Sequence, residues 1–180
     1  MVVVEVEGLK CRALLDTGAG GSYASAALIN RLPKRNSHKE VRHVEMMLGS
    51  VTKEMEMSTI KVEALDGKFN INVNVTKVDK GELLMLDNPN YEQLLNTYKH
   101  LEGVEMLDHD RKPKLPIHLI LGASDYMRIK TGERPRIGKI GEPVAEKTRF
   151  GWTIIAQGEE IDYTAMLLTQ ASQSDYEELC

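Results

Sequence analysis

Apolar and polar residues alternate along much of the first half of the chain, and this alternation is typical of β-strands that bury one face. The clearest example covers residues 68–75, where four apolar residues are interleaved with one lysine and three asparagines. Asp66-Gly67 precedes this segment and predicts a β-hairpin turn. A second alternating segment spans residues 44–57. It is interrupted by Gly49-Ser50, which predicts another hairpin with its turn at these two residues.

Short apolar runs predict further strands at residues 2–6, 11–15, 117–121 and 148–156. Short helices are expected at residues 24–32 after a Ser22 cap, over about ten residues around 91–98, and at residues 125–129 after a Ser124 cap. Charged or glycine-rich segments predict a polar connection and exposed loops at residues 34–40, 108–113 and 130–141. The chain is therefore expected to be mainly β, with two or three short helices.

Length and composition narrow the class of protein. A chain of 180 residues with 42% hydrophobic content fits one compact domain. A net charge of −4 provides no general basic surface for nucleic acid. No apolar run reaches the ~20 residues of a membrane span, and the N-terminus lacks the pattern of a signal peptide. Two cysteines are too few for a disulfide framework, so we expect an intracellular, cytoplasmic protein.

The domain is expected to cover residues 1–158. Residues 159–180 are expected to form an acidic connector or tail, able to pack on the domain, and the whole chain reads as part of a longer one. The five histidines are scattered without metal-ligand spacing. No metal and no cofactor are therefore expected.

The residues best suited to catalysis follow the second apolar run. Asp16 stands at the end of a predicted strand, which would hold its backbone rigidly. The hydroxyl of Thr17 can hydrogen-bond across a symmetric interface, and Gly18 permits a tight bend and the close approach of another group. The alternative is an ordinary Asx-turn at the strand end. A second apolar run ends in Leu121-Gly122 about a hundred residues later. The candidate loop consists of Asp16, Thr17, Gly18 and Ala19.

The order of these features resembles the retropepsin-like aspartic proteases, and most closely the protease region of BEL/Pao-type retrotransposon polyproteins. The resemblance rests on "LLDTGAGGSYAS", "IHLILGASDYMRIK", "GEPVAEKTRFGWTIIAQG" and "SDYEELC". It implies a closed β-barrel or sandwich that is active as a symmetric homodimer. It also implies that Asp16 is catalytic, with Thr17, Gly18 and Ala19 supporting it. Leu121 and Gly122 would pack beside that loop, and Leu48, Gly49 and Ser50 would form the tip of a flap.

This chemistry requires two carboxylates about 3 Å apart that share one proton. The chain has a single Asp-Thr-Gly, so the second aspartate is expected from a second copy. The implied function is an aspartic endopeptidase acting on a polypeptide, its own polyprotein, inside the cell or within virus-like particles. Neither a membrane nor a nucleic acid is an expected partner. A host protein derived from such an element would share the chemistry.

Two departures from the family pattern support an alternative, a catalytically silent dimerisation or binding module of the same fold. Retroviral enzymes commonly have an acidic residue after the alanine of the motif, whereas Gly20 and Gly21 follow Ala19 here. Many retropepsins follow the second apolar run with Gly-Arg-Asn or Gly-Arg-Asp, whereas this chain has Gly122-Ala123-Ser124-Asp125, without the arginine. The segment 87–114 is a further difference, because it is longer than a minimal retropepsin has room for.

Overall fold

The computed structural model describes residues 1–33 and 37–156. The predicted tail, residues 159–180, lies outside them. Within this part of the chain the fold is mainly β, which confirms the expectation. The strands are β1 Val2–Val6, β2 Leu9–Leu15, β3 Ser22–Ser25, β4 Ser37–Met46, β5 Gly49–Glu63, β6 Asn70–Val78, β7 Leu84–Asp87, β8 Lys114–Ile117, β9 Leu119–Leu121, β10 Val144–Thr148 and β11 Gly151–Ile155. The helices are α1 Ala26–Arg31, α2 Tyr91–Thr97, a short 3-10 helix Lys99–Leu101, and α3 Ala123–Ile129.

Seven strands form one sheet in the order β1-β2-β9-β3-β6-β5-β4. Strand β1 also pairs with the end of β5, so six strands form a continuous ring of pairings and β4 is left outside it. The pairs β2–β9 and β3–β6 are parallel. Strand β9 therefore lies between β2 and β3, although about a hundred residues separate it from them in sequence.

The main core lies inside this ring. Ile71, Val73 and Val75 of β6 are buried while the asparagines between them are exposed, as the alternation predicts. Val4 and Ile60 meet them in the same cluster. Burying one such side chain completely stabilises a fold by about 1.5–3 kcal/mol. This core holds the strands that carry the candidate loop.

A second cluster of buried side chains forms outside the main core. Tyr91 and Leu101 from the segment between β7 and β8 pack with Trp152 and Ile154 of β11. Asp108, expected in an exposed loop, has a side chain that is only 8% exposed, because it forms a salt bridge with Arg12 of β2. The prediction of an exposed loop is therefore wrong at this residue. The segment between β7 and β8 therefore contacts the strands through apolar side chains and through the Asp108–Arg12 salt bridge.

The first helix begins later than predicted. Ser22 lies in β3 because that segment pairs with both β6 and β9. Ser25 is the actual N-cap, and its hydroxyl oxygen accepts the N–H of Leu28. The apolar run 117–121 is divided at His118, since β8 pairs with β7 whereas β9 joins the large sheet.

The long hairpin of β4 and β5 also differs from the prediction. Its turn is Met47-Leu48, two residues earlier than expected, because Gly49 and Ser50 are already paired with Met46 and Glu45. Residues 37–40, predicted as part of a connection, belong to β4. The third helix begins at Ala123 without a side-chain cap, so Ser124 is not its N-cap. No helix within the described residues is long and apolar enough to span a membrane.

Candidate active site

The backbone of Asp16 is fixed by two neighbouring strands. It follows β2 directly, and β2 pairs in parallel with β9 from Ala13 to Leu15. The N–H of Asp16 continues this ladder by donating to the carbonyl oxygen of Leu121 at 2.9 Å. The aspartate is therefore mounted on the buried part of the sheet.

The Asp16 side chain is held on one side only. Its Oδ1 accepts the N–H of Gly18 at 2.9 Å, and its carbonyl oxygen accepts the N–H of Ala19 at 3.2 Å. No hydrogen bond to Oδ2 is present among the described residues. Asp16 is half-buried, Thr17 and Gly18 are exposed, and Ala19 is buried. The arrangement is an Asx-turn, and it leaves one carboxylate oxygen open.

Gly122 allows the rest of the loop to pack closely. A β-carbon at this position would lie 2.4 Å from the carbonyl oxygen of Gly21 and 2.9 Å from that of Ala19. The N–H of Ala123 donates to the same Ala19 oxygen at 2.9 Å. Leu121 and Gly122 thus lie beside the Asp16 loop, and only glycine fits at the second position.

A chain of polar contacts fastens the loop to α3. The Ser22 hydroxyl oxygen accepts the N–H of Gly122 at 3.0 Å, and the hydroxyl donates to Asp125 Oδ2 at 2.6 Å. Arg128 Nη1 donates to Asp125 Oδ1 at 2.9 Å and to the carbonyl oxygen of Asn72 at 2.8 Å. Ser22 is only 3% exposed, so leaving its partners without a hydrogen bond would be costly.

These contacts lie at two of the departures noted in the sequence. Asp125 accepts the Ser22 hydroxyl at the end of the glycine-rich loop. Arg128, one helical turn beyond Asp125, forms a salt bridge with it. Sequence reasoning had left the contact of Asp125 open and had missed Ser22 and Arg128 as parts of the site. The i,i+3 spacing of Asp125 and Arg128 is the signal that was available.

The glycines at 20 and 21 have no steric explanation. A β-carbon at either position would meet no atom within 4 Å, and neither has a positive φ. Both border a cleft of about 270 Å³ beside the loop, together with residues of β4, β5, β6 and α3. Their absent side chains leave this cleft open.

The predicted flap residues lie at the tip of the β4–β5 hairpin. Leu48 is 84% exposed in the turn, and Gly49 and Ser50 are exposed at the start of β5. Gly49 has a φ of +151°, a conformation that side chains rarely adopt. The structure does not bury the hairpin tip against Asp16, so the two candidate regions are separate in one protomer.

The site can therefore present one rigid, half-exposed carboxylate to a water molecule or to a second carboxylate. Asp66, the other Asp-Gly aspartate, lies in the β5–β6 turn, where its side chain accepts the N–H of Lys68.

Comparison of the chain with protein-family models, curated proteins and solved structures gives no match.

Proposed function

We propose that this chain is an aspartic endopeptidase of the retropepsin type, in which two copies each contribute Asp16. The observation that carries the proposal is the half-exposed Asp16 carboxylate, with Oδ1 held by the Gly18 N–H and Oδ2 open. The exposed Thr17 and Gly18 leave room for a symmetry-related loop to approach. The substrate class is an extended polypeptide, with the parent polyprotein of the chain as the natural candidate.

Two further features support this proposal. The ring of six paired strands agrees with the closed barrel that the resemblance implies. The β4–β5 hairpin extends beyond that ring, as a flap that closes over a peptide would. The Ser22–Asp125–Arg128 contacts also weaken the case for a silent module, because they hold the loop that the departures had left without support.

In the proposed reaction the two Asp16 carboxyl groups share one proton. The ionised carboxylate takes a proton from water as the water oxygen attacks the scissile carbonyl carbon. The protonated carboxyl gives its proton to the carbonyl oxygen, which forms a tetrahedral diol. When the C–N bond breaks, the protonated carboxyl gives its proton to the amine nitrogen and one diol hydroxyl returns its proton to the ionised carboxylate. The products are an amine and a carboxylic acid, and the dyad again holds one proton.

The test compares the natural chain with Asp16→Asn on a proteome-derived peptide library, with cleavage read by mass spectrometry. Asp66→Asn is the matched control, because it makes the same change at a turn aspartate. We expect cleavage by the natural chain and by Asp66→Asn, and a loss of at least about a thousandfold in Asp16→Asn, as for loss of a catalytic group. Cleavage that persists in Asp16→Asn would exclude the proposal.

A mixing experiment tests the contribution of one aspartate per copy. Excess Asp16→Asn chain is expected to inhibit the natural chain by forming mixed dimers, whereas excess Asp66→Asn is not. Activity that does not respond to the added variant, or that stays constant at concentrations where sedimentation shows only monomer, would contradict the dimeric mechanism. A dimer that cleaves no peptide would favour the silent module.

A further inference from the structure

The cleft beside the Asp16 loop is lined by an unusual set of side chains. Four different parts of the fold contribute to it: the loop residues 20–22, the helix α3, the outer face of β6 and the β4–β5 hairpin. Its charged and amide-bearing side chains are Arg42, Asn72, Asn74, Asp125 and Arg128. Hydrogen-bond donors therefore predominate in the cleft.

Among the described residues that line the cleft, only Asp125 carries a carboxylate, and both of its oxygens already accept hydrogen bonds. One oxygen of Asp125 accepts the Ser22 hydroxyl and the other accepts Arg128 Nη1. A cationic ligand would have to displace one of these contacts. Asp125 therefore acts as a support for the loop, and it does not make the cleft attractive to cations.

The two arginines keep donors available. Arg42 donates through Nε to Glu40, and among the described residues its Nη groups have no hydrogen-bond partner. Arg128 uses only Nη1, for Asp125 and the Asn72 carbonyl. A guanidinium carries five N–H donors in a planar fork that matches a carboxylate. Both side chains are about 45% exposed, 44% for Arg42 and 45% for Arg128, so both can reach a ligand.

The hairpin adds a second cation on the same face. Arg42 and Lys53 are direct cross-strand partners, and directly paired residues point to the same side of a hairpin. Glu40 lies on the same face and pairs with Arg42 Nε, so the two cations and this one carboxylate leave a net positive charge there. An anion bound between the hairpin and the sheet would balance that charge. The paired charges thus favour an acidic ligand.

The same hairpin face carries an apolar stripe towards its tip. Val44, Met46, Val51 and Met55 are half-buried, whereas the residues that alternate with them along the strands are mostly exposed. By alternation and register these four residues share the face of Arg42 and Met57, both of which line the cleft. An extended peptide along this face would meet apolar positions first and the cationic cleft a few residues away.

We propose that this cleft is a subsite for the side chain of a glutamate or aspartate in an extended peptide, held by Arg42 and Arg128. This inference rests on the proposed function, because the acidic side chain belongs to the peptide that the Asp16 site would cleave. The proteinase would thus prefer substrates with apolar residues at the scissile bond and one acidic residue a few positions away.

The test measures peptide binding to the Asp16→Asn chain, so that it needs no cleavage. Uncleavable peptides of one apolar sequence carry glutamate, glutamine or lysine at each of four positions on either side of the centre, and affinity is read by calorimetry. We expect glutamate at one position to bind at least about tenfold more tightly than glutamine, as for a charge-assisted hydrogen bond. Arg42→Glu should abolish this preference and favour lysine at that position.

Arg134→Glu is the matched control, because it makes the same charge change at an exposed loop residue. It should leave the glutamate preference unchanged. Equal affinities for all three peptides, or equal effects of the two substitutions, would overturn the subsite. If the natural chain cleaves peptides without preferring an acidic residue, the subsite proposal is wrong and the endopeptidase proposal stands. If peptides with glutamate bind more tightly but the natural chain cleaves none, the subsite proposal stands and the endopeptidase proposal is wrong.

Discussion

The Asp16 loop and the β4–β5 hairpin are two candidate parts of one site, and they are built on opposite principles. The loop is fixed by backbone hydrogen bonds, by a glycine contact and by the Ser22–Asp125 hydrogen bond. The hairpin pairs ten residues of β4 with β5 but exposes most of their side chains. A two-stranded hairpin alone is marginally stable in water. The fold therefore joins a closely packed loop to a hairpin whose side chains are mostly exposed.

The largest expected difference between the two regions concerns thiol reactivity. Burial raises the pKa of the Cys11 thiol in β2 from 9.0 to about 12, despite the opposing effect of Arg12. Three pKa units reduce the thiolate fraction roughly a thousandfold. In a Cys180→Ser background, alkylation of Cys11 at pH 8 should be slower by about a hundredfold to a thousandfold than alkylation of a cysteine placed at exposed Ser50. Similar rates for the two thiols in the folded chain would contradict the comparison.

The next effect concerns the close contact at Gly122. In Gly122→Ala the new β-carbon would lie 2.4 Å from the Gly21 carbonyl oxygen, so the loop must move. We expect a loss of about 3 kcal/mol in the free energy of unfolding, measured by urea denaturation, together with loss of cleavage. Gly20→Ala is the control, since its β-carbon meets nothing within 4 Å. It should be neutral or slightly stabilising. If both substitutions cost the same, the loop is not packed on Gly122.

Ser22→Ala tests the polar contacts that hold the loop. It removes the donor to Asp125 and the acceptor for the Gly122 N–H in a buried position. We expect a loss of about 2 kcal/mol in the same denaturation experiment, as for a buried hydrogen bond to a charged group. Ser124→Ala, at an exposed position of α3, should change the stability by less than about 0.5 kcal/mol. A Ser22→Ala chain as stable as Ser124→Ala would show that the contacts contribute little.

The smallest effect on stability is expected at the hairpin tip. Met47 and Leu48 are 77% and 84% exposed, so replacing each with serine should change the free energy of unfolding by less than about 0.5 kcal/mol. If the hairpin closes over a peptide, the same variants should raise KM for cleavage several-fold. Unchanged KM together with unchanged stability would remove the flap role from the tip.

The parts of the fold that sequence reasoning anticipated are those with a local cause. The period-2 pattern of residues 69–75 requires only that one face of β6 be buried, and the structure buries it. The prediction of a turn at Gly49-Ser50 is wrong because the turn is Met47-Leu48, and Gly49 occupies the first paired position after it. Local patterns do not distinguish these two uses of a glycine.

The contacts that support the Asp16 loop could not be predicted from local sequence patterns, because they join distant parts of the chain. Ser22 reads equally well as a helix cap or a strand residue, and its pairing with β6 and β9 decides between them. Its bond to Asp125 joins residues 103 positions apart, so no local pattern encodes it. The candidate Asp-Thr-Gly loop differs from these contacts, because its residues are adjacent in sequence and a local pattern can therefore suggest them.

The position of β9 between β2 and β3 has a consequence for the order of events during synthesis. Asp16 is synthesised about a hundred residues before its backbone partner Leu121 and the Asp125 that steadies its loop. At 5–20 residues per second this delay is roughly 5–20 s. During that interval the Asp16 loop lacks the hydrogen bonds that fix it in the folded chain. The geometry of this loop is therefore set late, once β9 has been made and can pair with β2.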